Sequence, residues 1–199
     1  MPTLSEYSKN EIRDIIISVL AVAFIFAYPD FSLMPFFLVA VVIAFLFHEL
    51  AHRYVARKFG CVAIYKMWPQ GLLFGLLIAL IGGGFKFVAP GAVVIYPFHF
   101  GRWGFKRIHL TMTEMGIISI SGIAVNLFFA AMFRPLAGTL MIEKIDVFGS
   151  LSFVNAFLAL FNLLPIPPLD GSKVFRWKPW LWLLMILFAT LLVFPYFLS

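Results

Sequence analysis

Long apolar runs separated by short basic segments constrain this chain more than any other feature of its sequence. The runs cover residues 12–28, 35–59, 115–133, 148–165 and 177–197. About 20 apolar residues are enough to cross a bilayer as a helix. Because 63% of the residues are hydrophobic and only 12% are charged, we predict an all-α polytopic membrane protein with about five to six transmembrane helices.

The positive charge of the chain is distributed as in a membrane protein. The net charge is +6, and a cytoplasmic N-terminus leaves only Arg134 and Lys144 of the 15 Lys and Arg outside. Cytoplasmic loops carry such an excess of basic residues. We therefore expect a multi-pass protein of the cell membrane with its N-terminus in the cytoplasm. The lipid bilayer, not nucleic acid, is the expected partner of this charge.

The second apolar run contains His48-Glu49-Leu50-Ala51-His52. Residues four apart lie on one face of a helix, so both imidazoles can bind one metal ion. The glutamate beside the first histidine can reach a water held there. Hydrogen-bonded core histidines or haem ligands are the alternatives, but an ionisable group inside a membrane segment is usually functional. At about 1.5 Å per residue, His48 lies ~16 Å from the Phe59 end of the helix, below one membrane face.

Residues 60–105 interrupt the helical pattern. Gly71–Ile81 is apolar but too short to cross the bilayer upright, so it either crosses at a tilt or re-enters. Residues 61–65 look like a strand, and residues 85–96 look like two strands around a Pro90-Gly91 turn. We expect a small membrane-associated β element beside the metal site, with an ordinary interfacial hairpin as the alternative.

A second stretch can supply the third ligand that a zinc hydrolase requires. Asp170 directly follows an apolar run, in Asn162-Leu163-Leu164-Pro165-Ile166-Pro167-Pro168-Leu169-Asp170-Gly171. The prolines exclude regular helix, and they can carry an extended chain past the two histidines. Asn162 is a candidate partner for the backbone groups that they free. The alternative is an aspartate that caps a short turn.

Together the two stretches resemble the site-2 protease family of intramembrane metalloproteases. That family pairs H-E-x-x-H on one transmembrane helix with N-x-x-P-x-P-x-L-D-G on a later one, and this chain matches both at every fixed position. Gly122-Ile123-Ala124-Val125-Asn126 also fits the family's G-x-x-x-N pattern. The resemblance implies a three-helix catalytic core at about residues 35–171.

The resemblance also implies roles for individual residues. His48, His52 and Asp170 become the ligands of one Zn²⁺ per chain, and Glu49 becomes the catalytic base. Asn162 and Asn126 are candidates to support the oxyanion. The substrates implied are transmembrane segments of other proteins, cleaved in regulated intramembrane proteolysis.

We expect residues 1–199 to form one membrane metalloprotease domain. The PDZ or CBS domains of many relatives do not fit, because residues 60–114 are too short and too apolar and the chain stops after its last apolar run. The strand region is expected to bind the unwound substrate as an added strand, through Phe85, Phe87, Val88, Val93 and Val94. A metal-binding or metal-transporting membrane protein is the alternative function. The sequence does not indicate an oligomeric state.

Overall fold

A computed structural model describes residues 4–81, 89–101, 104–142 and 144–197 of the chain. Most of these residues are helical. The helices are α1 (Leu4–Ala27), α2 (Met34–Val41), α3 (Phe47–Lys58), α4 (Pro69–Ile81), α5 (Met112–Phe133), α6 (Val147–Asn162), α7 (Asp170–Trp177) and α8 (Pro179–Val193).

The apolar runs account for the helices. A 3-10 turn at Phe31–Leu33 and a π-helical turn at Val42–Leu46 join α2 and α3 into one continuous helix from Phe31 to Lys58. Among the described residues, three helices are long and apolar enough to cross a membrane: Phe31–Lys58, Met112–Leu136 and Pro179–Tyr196. Helices α4 and α6 are apolar but shorter. A mostly helical membrane protein is therefore confirmed, whereas the count of five to six spans stays a prediction.

Local sequence signals set several helix starts. The Thr111 side chain accepts a hydrogen bond from the Glu114 N–H, and Glu114 accepts one from the Thr111 N–H, so a capping box begins α5. The Asp146 side chain accepts from the Gly149 N–H and caps α6. These caps supply partners for N–H groups that the first turn of a helix leaves free.

A small β element is present in the predicted region, whereas the hairpin around Pro90-Gly91 stays a prediction. Strand β1 (Val62–Met67) pairs with β2 (Gly91–Tyr96) in an antiparallel sheet. Residues 85–88, the first half of the predicted hairpin, lie outside the described residues. Strands β3 (Phe98–Gly101) and β4 (Gly104–Arg107) form a second pair, and β5 (Met141–Ile142) and β6 (Ile145–Asp146) form a third. Thus β2 contacts a strand from before α4, and α4 lies in the connection between them.

Helix α5 lies at the centre of the described fold. It contacts α3, α6 and α7, the helices that carry the two motifs or flank them. Its buried face includes small and polar side chains, among them Gly116, Ser119, Gly122 and Asn126. Small side chains let membrane helices approach closely. This packing brings α3 and the start of α7 to one place.

Candidate active site

Two histidines and an aspartate meet at the junction of α3, α5 and α7. His48 and His52 lie one helical turn apart, and their Nε2 atoms are 3.0 Å from each other. Asp170 Oδ2 lies 2.9 Å from His52 Nε2 and 3.6 Å from His48 Nε2. Within the described parts of the chain, this is the one group of three or more donors close enough together to hold a metal ion.

The spacing of these three atoms suits zinc. Nitrogen and oxygen ligands lie about 2.0–2.2 Å from Zn²⁺, so two ligands of a tetrahedral site are roughly 3.3 Å apart. The three observed separations lie close to that value. Three protein donors leave the fourth tetrahedral position open, which is the arrangement of catalytic zinc.

Both histidine rings are oriented by carbonyl oxygens behind them. His48 Nδ1 lies 2.8 Å from Asn126 Oδ1, and His52 Nδ1 lies 2.8 Å from the Ile118 carbonyl oxygen. The Asn126 Nδ2 donates to the Ala44 carbonyl, in the π-helical turn, so Oδ1 must be the atom that faces His48. Each Nδ1 therefore carries the proton and donates it, which leaves the Nε2 lone pair for a metal.

Gly122 makes room for the two rings on α5. A Cβ atom at this position would collide with His52 Nε2 and would lie 2.8 Å from His48 Cε1. Asn126 follows four residues later, on the same face of the helix. The G-x-x-x-N pattern thus combines a close approach of two helices with a hydrogen-bond acceptor for His48. The four-residue spacing of Gly122 and Asn126 is the sequence signal for this role.

Asp170 reaches the histidines through tight turns and not through an extended chain. Helix α6 ends at Asn162, the Leu169 N–H donates to the Ile166 carbonyl, and α7 begins at Asp170 itself. A Cβ atom on Gly171 would collide with the Leu163 backbone, so the glycine permits α7 to begin against the end of α6. The expected extended path was wrong because the prolines form turns.

The Asp170 carboxylate has a second partner. Lys173 Nζ lies 3.1 Å from Oδ1, on the next turn of α7. Burial acts to raise the pKa of Asp170, whereas the Lys173 ammonium favours the carboxylate and acts to lower it. Because Lys173 holds Oδ1, the other oxygen, Oδ2, is available to a metal. Lys173 was not among the predicted site residues, because a helix that begins at Asp170 was not expected from the sequence.

Glu49 lies beside the cluster and contacts the sheet. Its side chain is buried, and its Oε2 accepts a hydrogen bond of 2.8 Å from the Val93 N–H of β2. Of the residues proposed to bind substrate, Val93 and Val94 lie in β2, whereas Phe85, Phe87 and Val88 lie outside the described residues. The sequence placed this strand near the site but could not foresee the contact, since any residue except proline can supply a backbone N–H.

Asn162 bonds within its own helix. Its Nδ2 donates to the Leu158 carbonyl, four residues earlier. The Leu163 carbonyl next to it accepts instead from the Trp182 indole of α8, at 2.6 Å. This hydrogen bond joins α8 to the end of α6.

Comparisons with known proteins agree with these features. The family model described as Peptidase family M50 matches residues 136–180, which include Asp170. A protein of Methanocaldococcus jannaschii is 43% identical over 187 residues, which cover 90% of this chain and 91% of the relative. One of Bacillus subtilis is 34% identical over 170 residues, or 75% of this chain and 71% of the relative. Both relatives carry the name "Putative zinc metalloprotease". No solved structure matches the chain.

Proposed function

Because the chain belongs to peptidase family M50, the site-2 protease family, we propose that it cleaves peptide bonds within or near the transmembrane segments of other membrane proteins. It is a zinc metalloprotease of the membrane. One observation carries the proposal: His48, Glu49 and His52 lie on a helix long and apolar enough to span the bilayer, and the Asp170 carboxylate of α7 meets the two histidines there. Regulated intramembrane proteolysis is the biological setting that such a reaction suits.

The three donors hold zinc, and Glu49 acts as the base. Zinc at such a site supplies an activated water and polarises the scissile carbonyl. Glu49 accepts the proton of the attacking water and later delivers it to the leaving amine. His48 and His52 keep their Nδ1 protons, because Asn126 and the Ile118 carbonyl accept hydrogen bonds from them.

The asparagines have different proposed roles. Asn126 is fully buried, and its amide bonds to both His48 and Ala44. We assign it to orienting His48 instead of supporting the oxyanion. Asn162 would have to leave the Leu158 carbonyl to reach an oxyanion. The oxyanion role therefore stays a prediction for Asn162 alone.

Strand β2 is the proposed binding site for the unwound substrate. The Val93 N–H points away from β1, toward Glu49. In an antiparallel sheet the backbone groups of alternate residues face the same edge, so this edge of β2 faces the catalytic glutamate. A substrate strand added there would satisfy backbone groups that unwinding exposes in the membrane.

The proposed topology follows the distribution of basic residues. The N-terminus lies in the cytoplasm, and the active site opens toward the cytoplasmic side, where Arg53, Arg57 and Lys58 follow the histidine motif. A single domain spans residues 1–199. Metal transport, the alternative function, would require donors along a path, whereas the described donors concentrate in one cluster.

Cleavage by the purified protein tests this function. The wild-type chain and a Glu49→Gln variant are incubated in proteoliposomes with a panel of single-span membrane proteins, and fragments are identified by mass spectrometry. Glutamine can donate and accept hydrogen bonds but is a poor proton acceptor, so the variant should lose about 10²–10⁴-fold in rate while it retains zinc. Equal cleavage by both proteins, or cuts confined to soluble loops far from the membrane, would reject the proposal.

A further inference from the structure

The catalytic helix presents two adjacent pairs of side chains to two different partners. His48 and His52 face the metal cluster. Glu49 and Arg53, also four residues apart, contact the β1–β2 sheet and α1. Of this second pair, only Glu49 takes part in the proposed chemistry.

Two carboxylates flank the sheet at the same level. On the β1 edge, Glu11 Oε1 of helix α1 accepts a 2.9 Å hydrogen bond from the Tyr65 N–H. On the β2 edge, Glu49 Oε2 accepts from the Val93 N–H at 2.8 Å. Tyr65 and Val93 are directly opposite each other in the register. Since both N–H groups point outward, they form a pair without mutual hydrogen bonds, as alternate pairs do in antiparallel sheets.

An ion pair closes these contacts into a ring. Arg53 Nη2 lies 2.9 Å from Glu11 Oε2, and the Glu11 side chain is only 3% exposed. A buried carboxylate is retained at low cost only when it is paired and hydrogen-bonded. Glu11 meets both conditions, through Arg53 and the Tyr65 N–H. The contacts therefore form a ring, which runs from Glu49 of α3 through Val93, Tyr65 and Glu11 to Arg53, also on α3.

We propose that Glu11 and Arg53 are positioning residues for Glu49. Together they fix the sheet against α3 from its far edge, so that the Val93 N–H holds the Glu49 carboxylate beside the metal cluster. The inference rests on the proposed role of Glu49 as base. It assigns a purpose to Glu11, a buried carboxylate of α1.

Four variants and one control separate this role from a general effect on folding. Glu11→Gln and Arg53→Met break the ion pair singly. The double variant removes both charges and leaves neither buried and unpaired, so it keeps the test open if Arg53→Met fails to fold. Arg53→Lys restores the charge. Lys58→Met is the matched control. Lys58 lies on the same helix, but its ammonium contacts the Tyr54 side chain, outside the contacts between α3, the sheet and α1.

The measurements are zinc content, kcat and KM, and hydrogen exchange at the Val93 amide. We expect full zinc, a kcat lowered roughly 10- to 100-fold, as for a misplaced catalytic group, and faster exchange at Val93 in Glu11→Gln, Arg53→Met and the double variant. Arg53→Lys should recover part of the rate. In a Glu49→Gln background, Glu11→Gln should cause no further loss, since it would act through Glu49.

Two results would overturn the inference. The first is a kcat within two-fold of wild type in the double variant together with unchanged exchange at Val93. The second is zinc loss in proportion to the loss of rate, which would make the ion pair a support of the whole fold. If the wild type shows no cleavage that depends on Glu49, the proposed function fails. Exchange at Val93, compared with Lys58→Met, then decides whether the ring exists.

Discussion

At the scale of single residues, the site depends on the groups that hydrogen-bond to the metal donors as much as on the donors themselves. Asn126 has no exposed surface and lies between His48 and the Ala44 carbonyl. Asn155 Oδ1, 3.5 Å from Asn126 Nδ2, adds a further acceptor. Partners of this kind set the tautomer and direction of a metal-binding imidazole. Loss of Asn126 should therefore weaken zinc binding without removing any donor.

We predict that Asn126→Leu lowers zinc affinity about 10–100-fold, the usual effect of losing such a partner. The measurement is competition with a chelator of known affinity. Asn162→Leu is the matched control, because among the described residues the Asn162 amide donates to a carbonyl of its own helix. Equal zinc affinity in wild type and Asn126→Leu would contradict the proposed role of Asn126.

The residue scale also shows what the sequence could predict. His48, Glu49, His52 and Asp170 were identified because their spacing and their place beside apolar runs are visible in the chain. The Ile118 carbonyl and the Val93 N–H were not, since every residue has a carbonyl and all except proline have an N–H. Only the packing of the helices decides which backbone atoms face the site.

At the scale of elements, the two edges of the β1–β2 sheet differ. The β1 edge is covered by α1, whose Glu11 and Asp14 accept from the Tyr65 and Met67 N–H groups. The β2 edge faces Glu49. The Val93 N–H points outward, and backbone N–H groups of successive residues in a strand face opposite edges. The Ile95 N–H therefore lies on the same edge as that of Val93, and the Val94 N–H faces β1.

Proline at Ile95 tests whether this edge binds substrate. Proline removes an N–H and is tolerated at sheet edges. Ile95→Pro should raise KM roughly five-fold, for about 1 kcal/mol of lost hydrogen bond. Ile95→Ala is the control for the lost side chain, and KM is measured with one membrane substrate for both variants. A KM that is the same for proline and alanine would mean that substrate does not pair with this edge.

The helices were the easier elements to predict. Apolar runs such as 115–133 and 148–165 gave α5 and α6 to within a few residues, because a helix is the simplest way to satisfy backbone groups in a membrane. The pairing of β2 with β1 was not predictable, since it joins strands that lie on either side of α4 in the sequence. Long-range contacts of this kind leave no local signal.

At the scale of the whole molecule, the fold brings together motifs from opposite halves of the chain. Helix α3 carries the histidines and α7 carries the aspartate, with α5 packed against both. The proposed topology places the segment between α5 and α6 outside the cell and the segment after α6 in the cytoplasm. The positive-inside rule supports that orientation.

Labelling of single cysteines tests the orientation. The native Cys61 is buried and would be replaced by alanine. In that background Thr139→Cys should react with a membrane-impermeant thiol reagent added to intact cells, because Thr139 is exposed in the segment after α5. Arg176→Cys, exposed on α7, should react only after permeabilisation. The reverse pattern would invert the proposed topology.

The central claim is that residues of both motifs bind one zinc ion, and zinc content tests it most directly. Elemental analysis of the purified wild type should give one zinc per chain. Asp170→Ala should lose most of it with its helical content unchanged, since a third ligand is removed from a site of three. His109→Ala, which changes an exposed histidine outside the cluster, should keep one zinc per chain. Full zinc retention in Asp170→Ala would contradict the site.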